Sequence, residues 1–122
     1  MPTPGRQPSP TVYKICPRAD WDAACRDGHY RGSADDLRDG FIHFSAASQV
    51  AATAARHFRG QPGLVLVAID AAALGPALRW EPSRGGDLFP HLYAALPVAA
   101  ATAVADLPLA ADGVPRVPEL PA

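Results

Sequence analysis

Residues 64 to 69, Leu-Val-Leu-Val-Ala-Ile, are apolar at every position. A strand with one face in water would alternate apolar and polar residues, so a continuous run this short belongs at the centre of a sheet covered on both faces. Gly60, Pro62 and Gly63 punctuate it on one side, and a turn over Asp70 to Pro76 on the other. A first strand is expected over Thr11 to Cys16, which alternates. Pro17 suits the start of a helix that carries Asp20, Trp21, Ala24 and Cys25 and stops at Gly28. Ser33 followed by Ala-Asp-Asp reads as an N-cap with acids in the first turn of a short helix that ends by Gly40. Phe41 to Ser45 reads as a compact buried strand, and Ser45 or Ser48 as the cap of a helix running to about Phe58. In that helix Val50, Ala54 and His57 or Phe58 recur at helical spacing. Leu78 to Glu81 makes a short strand, Ser83 to Asp87 a loop, and Val98 to Leu107 a final strand.

At 122 residues the chain fits one domain, burying roughly two thirds of the surface its unfolded form exposes. Much of its hydrophobic share of 48% is alanine, so the bulky core must come from few residues: Phe41, Ile42, Val65, Leu66, Val67, Ile69 and Leu78. Four prolines within residues 1–10 predict a flexible arm, and Pro108, Pro115, Pro118 and Pro121 a loose tail over 108–122, with the domain spanning 11–107. No apolar run approaches the ~20 residues of a membrane span. The net charge of −1, with scattered basic residues, argues against an extensive nucleic-acid surface. It leaves room for a small anionic ligand held by arginines such as Arg18, Arg31 or Arg38. Lys14 is the single lysine beside ten arginines, which reads as compositional bias. Without a signal peptide the chain is expected in the cytoplasm, with Cys16 and Cys25 reduced and acting as small buried hydrophobes.

His43 is the residue most open to chemistry. Strand alternation places Phe41, His43 and Ser45 on one face, an aromatic, an imidazole and a hydroxyl in a row. That suits a ligand floor; the alternative is a core histidine bonded to a backbone carbonyl. His91 follows Pro90, which biases Phe89 toward an extended backbone. Gly85 and Gly86 beside it offer N–H groups able to cradle a phosphate. Glu81 can orient a ribose hydroxyl, act as a base, or pair with Arg79 or Arg84. His43, Glu81 and His91 are thus the candidate catalytic residues, expected to share one cleft. Phe41, Ser45, Tyr13, Tyr93, Gly85 and Gly86 are the candidate ligand contacts. No metal is expected: His43, His91 and Glu81 have acceptable ligand types, but no local His-x-x-x-His pair supports them. Gly-x-Ser-x-Gly, the nucleophile elbow, is absent around Ser45.

Taken in order, several motifs resemble a family of small bacterial proteins, domain of unknown function 952. They are Val-Tyr-Lys-Ile at 12–15, Trp21, Gly28-x-Tyr30-x-Gly32-Ser33, Asp39-Gly-Phe-Ile-His-Phe-Ser45, Gln49-Val50, Phe58, the strand at 64–69, Trp80-Glu81 and Phe89-Pro-His-Leu-Tyr93. The sequence departs at Ala94-Ala95, where the family usually carries a glycine. The family is distantly similar to the ADP-ribosyltransferase fold. The resemblance implies an α+β domain with a bent or split, antiparallel-rich sheet and two to three helices. It further implies a cleft that takes NAD as possible substrate, in a transferase that handles NAD or ADP-ribose. A non-catalytic module binding a nucleotide or phosphometabolite, and a small hydrolase using His43 and His91 as acid and base, are the alternatives.

Overall fold

The computed structural model describes residues 10–120. Along the chain lie β1 (Thr11–Pro17), α1 (Arg18–Asp27), β2 (His29–Tyr30), α2 (Ala34–Asp39), β3 (Ile42–His43), β4 (Ser45–Ala46), α3 (Val50–His57), β5 (Leu64–Asp70), β6 (Leu78–Pro82), β7 (Leu88–Leu92), β8 (Leu96–Pro97) and β9 (Ala101–Leu107). Short 3-10 turns occupy Ala47–Gln49, Ala71–Ala77, Arg84–Gly86 and Val98–Ala100. The fold is α+β, as expected, with three α-helices among the described residues. Its strands form three antiparallel sheets, of order β4-β1-β5-β9, β3-β7-β6 and β2-β8.

The apolar run is interior, as its composition requires: β5 lies between β1 and β9, in full register with β1 from Thr11↔Asp70 to Pro17↔Leu64. Period-two alternation then divides the core. Val65, Val67 and Ile69 join Val12 and Cys16 of β1 under Trp21, Ala24, Ile42, Leu92 and Leu96. Leu64 and Leu66 join Tyr13 and Ile15 on the opposite face, against Val50 and Ala54 of α3 and Leu107. Each cluster removes several large side chains from water, at roughly 1.5–3 kcal/mol per fully buried one.

Local signals set the helix ends. α1 begins after Pro17 and closes on Gly28, whose left-handed φ of 98° lets its N–H donate to the Ala24 carbonyl at 2.7 Å. α2 carries a capping box, the Ser33 hydroxyl accepting from the Asp36 N–H and the Asp36 carboxylate from the Ser33 N–H. The third helix is shorter than expected. It starts at Val50 without a side-chain cap; the Gln49 side-chain oxygen Oε1 instead accepts from the Ala46 N–H, and residues 47–49 form a 3-10 turn.

The largest correction concerns residues 41–45. They do not form one strand: His43 pairs with His91 in one sheet, whereas Ser45 pairs with Tyr13 in another. Phe44 is the crossing point, its side chain buried and its N–H donated to the Pro90 carbonyl at 3.0 Å. Phe41 is only partly buried and Cys25 is exposed, so neither is a core residue, whereas the partly buried Leu78 packs against the core cluster. Cys16 is buried, which pushes its thiol up to about 12. The final strand starts at Ala101 because Val98–Ala100 turns. Residues 108–120 fold back instead of trailing loosely. Leu109 bridges Pro115, the Arg116 backbone N–H donates to the Pro108 carbonyl at 2.7 Å, and Val117 and Leu120 pack beside the α3 cluster. The expected N-terminal arm lies, apart from Pro10, outside the described residues. No helix among the described residues is long and apolar enough to cross a membrane.

Candidate functional site

The sheet β3-β7-β6 positions most of the candidate residues, and its register explains why they converge. Ile42, Leu92 and Leu78 are cross-strand partners on the core side. Alternation therefore turns the neighbouring set, His43, His91 and Arg79, the other way, together with Glu81 and Phe89. On that face Phe41 stacks on His91 with ring centroids 4.1 Å apart, and lies 4.7 Å from His43 and 5.2 Å from Tyr93. The two imidazoles meet edge to face at 5.5 Å. Phe41, His43, Glu81, His91 and Tyr93 thus form one cluster.

His43 is anchored by α2. Its Nδ1 lies 2.6 Å and its backbone N–H 3.1 Å from Asp36 Oδ1, and its Nε2 3.0 Å from Asp39 Oδ2. The other Asp36 oxygen accepts from Lys14 Nζ and the Ser33 N–H, each at 2.8 Å. Lys14 also donates to the His43 carbonyl at 3.0 Å. Burial alone would push the Asp36 carboxyl up. The hydrogen bond from His43, the charge and hydrogen bond of Lys14 and the Ser33 N–H outweigh it and hold the group well below the usual carboxylate range. Asp36 is therefore an ionised, buried acceptor that ties β1, α2 and β3 together. Gly32 makes room for it: a Cβ there would lie 2.7 Å from the Asp36 Cβ.

His91 is anchored from β6, the other edge strand of the sheet. Its Nδ1 lies 2.8 Å from Glu81 Oε1, and the Tyr93 hydroxyl donates to the same oxygen at 2.7 Å. The Tyr93 bond first, then the His91 bond, lower the Glu81 carboxyl, and Glu81 in turn raises the Tyr93 hydroxyl. Arg79 does not pair with Glu81; its guanidinium lies over the Tyr93 ring at 4.9 Å. Glu81 is bound to two site residues, His91 and Tyr93.

A cavity of about 360 Å³ opens beside this cluster, at the lower end of the range for small-molecule sites. His43, His91, Tyr13 and Ser45 line it, with Thr53, Arg38, Arg56 and His57. Ser45 and Thr53 place their hydroxyls 3.1 Å apart. Phe41 and Tyr93 line a second, shallower groove that His43 and His91 do not line. Gly85 and Gly86 line neither space, the Gly86 N–H being donated to the Ser83 carbonyl. Of the arginines considered for an anion, Arg18 pairs with Asp106, Arg31 with Asp27, and Arg38 with Asp35 and Asp39.

Sequence reasoning missed Lys14, Asp36 and Asp39. A signal for Lys14 was present. In a chain that otherwise uses arginine, one lysine in the middle of an apolar strand marks a compact, buried ammonium rather than compositional drift. The acids had no such signal, because their partners are set by how α2 lies against β1 and β3.

The crystal structure of protein CC0527 from Caulobacter crescentus is similar to this chain, with 57% identity and a TM-score of 0.85 over 87% of this chain and 93% of that one. The solution NMR structure of the same protein gives 57% identity and a TM-score of 0.79 over 87% and 91%. A comparison with curated proteins finds no match. The model of a family described as "Protein of unknown function (DUF952)" matches residues 15–104, and the chain belongs to that family.

Proposed function

We propose that this site binds NAD or another ADP-ribose-containing nucleotide, and that the protein transfers the ADP-ribosyl group. The observation that carries the reading is the single face on which Phe41, His43, Glu81, His91 and Tyr93 meet, beside a cavity edged by hydroxyls and arginines. Each part suits one portion of such a ligand. Phe41 and Tyr93 offer aromatic faces for a planar base. His43, Ser45 and Thr53 offer hydrogen-bonding groups for ribose hydroxyls. Arg56, exposed and without an ion pair among the described residues, is available to a phosphate.

The chemistry follows from Glu81. As the bond between ribose C1′ and nicotinamide breaks, its electron pair leaves with nicotinamide and positive charge develops on the sugar. A carboxylate kept ionised by Tyr93 and His91 stabilises that charge, commonly by a few kcal/mol per well-placed group. The acceptor then bonds C1′ and gives its proton to a base. A second reading, acid–base hydrolysis by the two histidines, draws on the carboxylate partner each has at Nδ1.

The test combines calorimetric titration with NAD and ADP-ribose and an assay of nicotinamide release. Binding is expected for both ligands. Glu81→Gln should lower release by about 100-fold with affinity for NAD changed only several-fold. His43→Ala should weaken binding. Binding without any release would identify a non-catalytic module, and no binding at millimolar ligand would overturn the nucleotide reading.

A further inference from the structure

The contacts of His43 determine which of its two ring nitrogens the site can use. Asp36 Oδ1 lies 2.6 Å from Nδ1 and belongs to a buried carboxylate with donors at both oxygens. An ionised carboxylate only accepts hydrogen bonds, so the nitrogen facing it must carry a proton. We propose that Asp36 is a positioning residue that commits His43 to the Nδ1–H form, so that Nε2 is the atom offered to a ligand. In the neutral ring Nε2 is then a lone-pair acceptor, suited to a hydroxyl and unsuited to a carbonyl or phosphate oxygen. This deepens the nucleotide reading, on which it rests for the identity of that hydroxyl as one of the ribose.

Asp39 completes the device. Its Oδ2 is 3.0 Å from Nε2, a contact that is attractive only when that nitrogen also bears a proton. With the imidazolium, Asp39 covers Nε2; with the neutral ring, two acceptors face each other and Nε2 is released to the cavity. Among the described residues, the charged and titratable groups around the ring are Asp36, Asp39 and Arg38 from α2, Lys14 from β1, and His91 from β7 with Glu81 behind it, and Arg56 and His57 of α3 line the same cavity. Lys14 and Ser33 hold the far oxygen of Asp36, so the carboxylate cannot rotate away from Nδ1 without losing both bonds.

The experiment is long-range proton–nitrogen NMR of the ligand-free, nitrogen-15-labelled chain at a pH where His43 is neutral. It reports directly which ring nitrogen is protonated. The expected result is the Nδ1–H form, with Asp36→Asn shifting the population toward Nε2–H in a protein whose backbone amide spectrum stays folded. Asp39→Asn should leave the Nδ1–H form unchanged. A wild-type ring in the Nε2–H form overturns the proposal, whether or not the Asp36 variant folds. So does an Asp36→Asn protein that keeps the Nδ1–H form undiminished. Addition of ADP-ribose should then perturb Nε2 more than Nδ1. If ADP-ribose fails to bind while the tautomer is as expected, the nucleotide reading falls and the positioning role stands.

Discussion

Replacing Asp36 by alanine removes the acceptor of four hydrogen bonds at once: those from the Lys14 ammonium, the Ser33 N–H, and the ring and backbone of His43. The side chains of Lys14 and Asp36 are only 7% and 2% exposed. Lys14 would be left as a buried cation with only the His43 carbonyl and the face of the Tyr30 ring, 5.9 Å away, beside it among the described residues. Removing one member of a buried ion pair costs about 3–5 kcal/mol, most of it the penalty for the group left behind. Losing the capping-box bond to Ser33 adds about 0.5–1 kcal/mol. Against a total stability of about 5–15 kcal/mol for a domain, a loss of about 4–5 brings the fold close to its limit. In urea, with a slope of about 1.5–2 kcal/mol per molar, the midpoint should fall by about 2–3 M. Substituting Lys14→Met together with Asp36→Ala removes the unpaired charge and should recover at least about 2 kcal/mol. The assay is urea unfolding of wild type, single and double variants, followed by tryptophan fluorescence. A single-variant cost under about 1.5 kcal/mol, or a double variant no better than the single, would refute the argument. The wild-type pH dependence adds a check. Because folding lowers the Asp36 carboxyl, its stabilisation is complete above the ordinary carboxylate range. That contribution should fade steadily as pH falls from about 4 toward the lower value of the folded state.

Gly32 has a φ of 110°, and a Cβ there would meet the Asp36 Cβ at 2.7 Å. Gly32→Ala should therefore cost about 2 kcal/mol or more in thermal unfolding, while Gly28→Ala, with open space around it, should cost only the backbone strain of about 1 kcal/mol. Deleting residues 116–122 removes the partly buried Val117 and Leu120 from the α3 cluster and should cost about 1–3 kcal/mol in the same assay. An unchanged melting midpoint would show that those contacts contribute nothing.

The elements that could be read directly are those whose signals are local. β1 and β5 follow from alternation and from an unbroken aliphatic run, α1 from Pro17 and Gly28, and α2 from Ser33 and the acids after it. The motifs around His43 and His91 could be read too, because an imidazole amid apolar neighbours stands out in any register. What the chain did not disclose is how the pieces meet. Residues 41–45 look like one strand because each neighbour favours an extended backbone. The break at Phe44 exists because β7 and β1, distant in sequence, each recruit one half of the segment. Lys14 and Asp36 are 22 positions apart, and their pairing depends on α2 resting over β1. Glu81 reached His91 and Tyr93 because the antiparallel register of β6 and β7 placed it beside them. Propensity and patterning act over a few residues and so determined the elements. Partners of buried charges are settled by desolvation and geometry across the whole core, and only the tertiary structure decided those.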